Sequence, residues 1–286
     1  THATPMIAYN AAMARKDLLP GSINAGIDMI LFNKNIDEDY QFITDAVNNG
    51  VISQERLTEA VTRIVATKLA QGIMNEDCQA TFEVPETINL NLEQHQELAQ
   101  EVAKKSVTLV KDRDHLLPMT PQRYPRLRLV VLGDDDDGGF KEGGHVTQLF
   151  KERLQKAGFE VSVFDHKHLD FHEMFEEGVA DAKKKFDLAL YVANVETASN
   201  QTTTRLDWVH LMAADSPWFM KSIPTIFVST ANPYHLYDLP MVSTFINAYT
   251  GNIPSVDAVM RKLQGQEEFT GKSPVDPFCG DFTTRL

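Results

Sequence analysis

Between residues 53 and 72, Leu57, Ala60, Val61, Ile64, Val65 and Leu69 share one face of a 3.6-residue repeat. Ser53 stands in front as a cap and Gly72 behind as a stop, so the pattern predicts the clearest helix in the chain. Upstream, residues 8–13 predict a short helix, and 17–20 an interruption at Pro20. Ile23, Ala25, Ile27 and the apolar run 29–32 follow Gly26 as a short buried strand. Asp37 is placed to cap a further helix, with Tyr40, Ile43, Ala46 and Val47 on one face and Gly50 at its end.

The period disappears over residues 75–92, where Pro85, Asn89 and Asn91 mix with acidic residues as in a linker. In the stretch 99–118, AQEVAKKSVTLVKDRDHLLP, Ala99, Val102 and Ala103 keep helical spacing, and Val107, Leu109 and Val110 then form a β-branched run. A helix feeding straight into a strand marks the handover between two architectures. Beyond it strands and helices alternate. Strands are predicted at 127–132, 161–164, 188–192, 225–228 and 242–246, and helices at 146–157, 171–182, 206–213 and 256–263. That alternation predicts an α/β domain, a mostly parallel sheet with helices on both faces. Three regions result: 1–74, a linker at 75–98, and the sheet domain at 99–286.

Composition narrows the function. The 286 residues are 43% hydrophobic and 23% charged, an ordinary globular balance, and the net charge of −13 opposes binding to a phosphate backbone. Nucleic acid is therefore an unfavoured partner. No run approaches the roughly 20 apolar residues of a membrane-spanning helix, so no membrane is expected as a partner. The chain opens on THATPM without an initiator Met, which leaves the compartment open, the cytoplasm being favoured. Cys78 and Cys279 lack metal-ligand spacing and read as free thiols, and no cofactor or metal is expected.

Several segments together resemble the family-3 glycoside hydrolases, most nearly their β-N-acetylhexosaminidase-like branch. They are SINAGIDMILF (22–32), ISQERLTEAVTRIVATKLAQGI (52–73), the 99–118 stretch, NPYHLYDLPMVSTFINAYTGN (232–252) and GKSPV (271–275). The resemblance implies a (β/α)8-type barrel carrying the chemistry, followed by an α/β sandwich. It places Thr1 near the end of the seventh barrel strand, so that 1–74 would be the last βα units of the barrel with a connecting helix. It also implies hydrolysis of terminal β-linked N-acetylhexosamine or a related sugar with retention, through one attacking carboxylate and one group that protonates the leaving oxygen.

The family's nucleophilic Asp lies in a Thr-Asp-Ala setting, and Thr1-His2-Ala3 stands there in this chain. An attacking imidazole would leave a cationic adduct where an oxocarbenium ion develops, so His2 predicts loss of normal catalysis in this polypeptide. The family's general acid has no counterpart among these residues. Asp28, just before the expected final barrel strand, is a candidate substrate contact, although bonding to nearby backbone amides is the commoner role of such an Asp. The long polar loop 193–205, with Asn194, Glu196, Asn200, three threonines and Arg205 ahead of Trp208, suits hydrogen bonding to a sugar or packing against the barrel; Asn200 and Arg205 are the candidate contacts.

Two further clusters read as structural. The acidic run 134–137 follows a strand but lacks the alternation and distal Glu of a calcium loop, so it reads as a solvated turn. His166, His168 and His172 lack a third zinc ligand and read as surface histidines. The expected partner is a carbohydrate in the parent enzyme. A non-catalytic module is the alternative, pairing as a homodimer or with a chain that completes the barrel, because a strand and helices cut from a barrel would leave apolar surface exposed.

Overall fold

The computed structural model describes residues 3–74, 90–134, 144–165, 169, 175–196, 205–206, 208 and 214–286. His2, Cys78, Asp135 to Asp137, the three clustered histidines, Asn200, residues 171–174 of the helix predicted at 171–182 and most of the helix predicted at 206–213 lie outside the described residues. In the described part of the first, the helix is Val179–Lys185. The chain forms two compact units, Thr1–Leu90 and Asn91–Leu286.

The first unit holds four helices: α1 (Ile7–Ala12), α2 (Arg15–Asn24), α3 (Ile36–Asn48) and α4 (Gln54–Ala70). Ser53 caps α4 as predicted, accepting from the Arg56 amide (3.1 Å). Asn35, not Asp37, caps α3, its side chain accepting from the Glu38 amide (3.1 Å). The expected break at 17–20 is instead part of α2. Pro20 forfeits one backbone hydrogen bond there, yet Leu18, Leu19, Pro20 and Ile23 are all buried, and that burial holds the helix together. Residues 29–32 are not a strand. An apolar run becomes a strand only with a neighbour to bond, and among the described residues this unit has no strand. The left-handed Phe32 (φ 58°) ends any extended course, and its carbonyl accepts from the Thr4 amide (2.9 Å).

The core of this unit is Ile23, Ala46 and Ile52, with Ile43, Val47 and Leu57 packed against it. Of the α4 stripe only Ala60 is buried, while Val61 and Leu69 are exposed.

Asp39 ties the start of α3 to the chain's first described residues. Burial alone would raise its pKa, but hydrogen bonds from Thr4 Oγ1 (2.8 Å), Asn33 Nδ2 (3.1 Å) and the Arg15 guanidinium outweigh it and hold the carboxyl below its ordinary 3.8. A folded pKa below the unfolded one stabilises above the ordinary value, and that contribution is lost as pH falls through the depressed one. Melting followed from about pH 5 to about pH 2 should therefore show an acid loss of stability that Asp39→Asn diminishes; an unchanged slope would remove Asp39 from the account.

The second unit is a six-stranded sheet of order β1-β6-β5-β4-β2-β3. Its strands are β1 (Thr108–Asp112), β2 (Arg126–Leu132), β3 (Glu160–Val163), β4 (Leu188–Ala193), β5 (Thr225–Ser229) and β6 (Thr244–Asn247). All neighbours pair in parallel except β1 with β6. The described helices are α5 (Leu92–Ser106), α6 (Thr147–Lys156), α7 (Val179–Lys185) and α8 (Ile253–Leu263). Helix α5 thus begins inside the stretch expected to be linker.

All six β4 residues are buried, as a parallel strand covered on both faces requires. Leu188, Leu190 and Val192 join one core with Phe150 and Leu154 of α6 and Val256, Val259 and Leu263 of α8. Ala189, Tyr191 and Ala193 join the other with Ala182 of α7, Phe219 and Leu236. On that second face Tyr191, Phe227 and Phe245 stack across three strands, with centroids 6.1 and 5.3 Å apart. The mostly parallel α/β architecture expected from the alternation is the one observed.

Candidate functional site

In chain order the parallel strands run from β2 outward to β3, then back across β2 to β4, β5 and β6. The winding reverses between β2 and β4, and ligands of open α/β sheets favour the crevice outside the carboxyl ends at such a point. Two residues beyond β2 lies Asp134. Gly133 makes its approach possible, because its φ is +73° and a Cβ there would sit 2.6 Å from Val195 Cγ2.

The Asp134 carboxylate accepts from the Val146 amide (3.0 Å), the Thr147 amide (2.9 Å), Thr147 Oγ1 (2.5 Å) and Asn194 Nδ2 (2.7 Å). Asn194 is wholly buried, donates also to the Gly144 carbonyl (2.9 Å), and accepts from Thr230 Oγ1 (2.8 Å). The amide donors at the start of α6 are those a doubly wound fold offers to a phosphate. Here an internal carboxylate occupies them, so the crevice is built to be filled by the chain itself. At Asp134 the expectation of a solvated acidic turn is overturned: the side chain is a buried cap. Its helix lies a dozen residues downstream, and no local spacing signals it.

The same edge carries a cavity of about 380 Å3 at the ends of β4, β5 and β6, lined by Glu196, Asn232, Tyr234, Tyr249 and Thr250. Glu196 belongs to the polar loop singled out in the sequence, whereas the two tyrosines, both within the 232–252 run, drew no attention there.

Asp28 and Arg205 are each engaged within their own unit. Arg56 Nη2 (2.6 Å) and Arg63 Nη1 (3.1 Å) from α4 bind the Asp28 carboxylate. Hydrogen bonding from Arg56, joined by Arg63, holds its pKa below the ordinary value. The partners are guanidinium groups, not the backbone amides expected. Arg56 also donates to the carbonyls of Ile23 (2.8 Å) and Ile27 (3.2 Å), so the pair fastens the 23–28 turn to α4. Arg205 forms an ion pair with Asp238, whose other oxygen accepts from the Leu206 amide (2.9 Å), and its guanidinium lies 5.1 Å from the Tyr237 ring centroid. Among the described residues no three His, Cys, Asp or Glu side chains are grouped to hold a metal ion, and no helix is long and apolar enough to cross a membrane. Cys279 is a free, exposed thiol.

No family model matches the chain. It is 40% identical, over 99% of its length and 50% of the relative's, to a β-N-acetylglucosaminidase/β-glucosidase of Cellulomonas fimi. Among solved structures it is similar to the β-glucoside phosphorylase BglX at a TM-score of 0.74 and 39% identity, covering 100% of this chain and 50% of that one. A family-3 β-N-acetylglucosaminidase from Paenibacillus shares the fold at a TM-score of 0.57 and 20% identity, with 97% and 50% covered. The chain spans about half the length of the relatives it matches. The chain is thus similar to the C-terminal half of family-3 β-glucosidases and N-acetylglucosaminidases.

Proposed function

We propose that this chain is the C-terminal part of a retaining glycosidase that removes terminal β-linked N-acetylhexosamine or a related sugar. The observation that carries the reading is the 40% identity to the Cellulomonas fimi enzyme, which extends over 99% of the chain. In this reading residues 1–74 are the last units of the catalytic barrel. The exposed Ile7, Phe32, Ile36 and Tyr40 support it, because a small unit whose buried apolar side chains are Leu18, Leu19, Ile23, Ala46, Ile52 and Ala60 leaves apolar surface for a neighbour to cover. That neighbour is the remainder of the barrel; a homodimer or a separately encoded barrel chain is the alternative, and the mass in solution separates them.

The 286-residue polypeptide alone is expected to be inactive. It supplies no general acid, and His2 stands at the nucleophile position. The test is turnover of a chromogenic β-N-acetylglucosaminide by the chain and by His2→Asp, where neither is expected to release product. Release by the unmodified chain would show that the catalytic groups are misassigned. The likeness to a β-glucoside phosphorylase favours a second reading, in which the parent enzyme passes a glucosyl group to phosphate instead of water. Dependence of β-glucoside cleavage on added phosphate decides between the two.

A further inference from the structure

We propose that the cavity at the carboxyl ends of β4, β5 and β6 is a pyranose-binding site, with a neutral sugar ring against Tyr234 and its hydroxyls donating to Glu196. The class of ligand rests on the glycosidase reading above, whereas the architecture of the walls stands independently of it.

The first wall is a turn held by buried polar side chains. Ser229 Oγ donates to the Asn232 carbonyl (2.7 Å), which leaves its 2.8 Å contact with His235 Nδ1 to be made with the imidazole as donor. Asn247 Nδ2 donates to the Pro233 carbonyl (3.1 Å), and the Tyr234 amide donates to Asn232 Oδ1 (2.9 Å). Ser229, His235 and Asn247 are all buried. Three desolvated polar groups thus fix a turn whose tyrosine stays 44% exposed and belongs to neither core of the sheet unit.

The second wall is Tyr249, an aromatic residue held in the left-handed region (φ 65°). That conformation is costly for a bulky side chain and is found where the surroundings impose it. Thr108 Oγ1 donates to the Ser106 carbonyl (2.8 Å), so the Tyr249 hydroxyl is the donor in its 2.9 Å bond to Thr108. Gly251, close behind, packs where a Cβ would meet Val146 and Asn194, which joins this wall to the Asp134 network. The Tyr249 ring and the turn that carries Tyr234 are therefore set in place before any ligand arrives, which lowers the cost of binding.

Charge selects the ligand. Glu196 is the carboxylate of the lining, and in a chain of net charge −13 it disfavours phosphates and other anions. The helix amides that would otherwise draw an anion to this edge are taken by Asp134. A volume of about 380 Å3 lies in the size range of small-molecule sites, and aromatic faces beside amide and carboxylate acceptors suit a ring with one apolar face and a rim of hydroxyls.

The test is titration of the 286-residue chain with N-acetylglucosamine, N,N′-diacetylchitobiose and glucose, read by calorimetry and by saturation transfer from protein to sugar ring protons. Saturable binding of at least one is expected, weakened about tenfold by Tyr234→Ala with the circular dichroism spectrum unchanged, and weakened also by Glu196→Gln. No saturation by any of the three, equal binding by both variants, or preferential binding of choline would overturn the site. Turnover plays no part in this measurement: absence of sugar binding refutes the site whatever a reconstituted enzyme does, and absence of turnover by a reconstituted enzyme refutes the parent activity whatever binds here.

Discussion

Asp134→Ala is expected to lower the stability of the sheet unit by about 3 kcal/mol, roughly 1–2 from the lost helix cap and the rest from donors left without an acceptor. For a unit of this size that is a fall of about 6–12 °C in melting temperature. Four donors converge on this one carboxylate: the Val146 and Thr147 amides where α6 begins, the Thr147 hydroxyl and the buried Asn194. Thr147→Val removes one donor and leaves the cap, so it should cost only about 1 kcal/mol. Thermal or urea unfolding of the three proteins separates the cases. Equal melting of wild type and Asp134→Ala would show that water can replace the cap and that the crevice is open.

Gly271→Ala is expected to cost about 3 kcal/mol or more. A Cβ at Gly271 would stand 2.3 Å from the Ser106 carbonyl oxygen and 2.5 Å from that of Val107. These are backbone atoms where α5 turns into β1, and unlike a side chain they cannot swing aside. The glycine of the GKSPV segment is thus set by close approach of two stretches of main chain. Gly21 provides the contrast: it lies within α2 with nothing near its missing Cβ, so Gly21→Ala should stabilise the helical unit by about 0.5–1 kcal/mol. Comparable melting of the two alanine variants would contradict this account of Gly271.

How far the sequence could be read followed from whether the determinants were local. The run 188–192 declared itself a buried strand because it is apolar without alternation, and the structure covers it on both sides. The run 29–32 carries the same signal, yet a strand is defined by its partner, and the described residues of its unit supply none. Period alone also overstated α4, since a stripe of apolar residues shows which face could be buried but not what lies against it. Asp134 escaped because the helix it caps begins thirteen residues later, and Tyr249 because a left-handed backbone at a tyrosine leaves no mark in composition. Arg205 was legible as a polar loop residue, but not its engagement by Asp238, which lies 33 positions away.

The central claim is that this chain completes a family-3 glycosidase, and reconstitution tests it most directly. The His2→Asp chain, which restores a carboxylate at the proposed nucleophile position, would be mixed with the N-terminal half of the Cellulomonas fimi relative and turnover of a chromogenic β-N-acetylglucosaminide measured, with and without phosphate. Turnover in the mixture, absent from either half alone, is the predicted result. A mixture in which the two halves associate but release no product from either a β-N-acetylglucosaminide or a β-glucoside would contradict it.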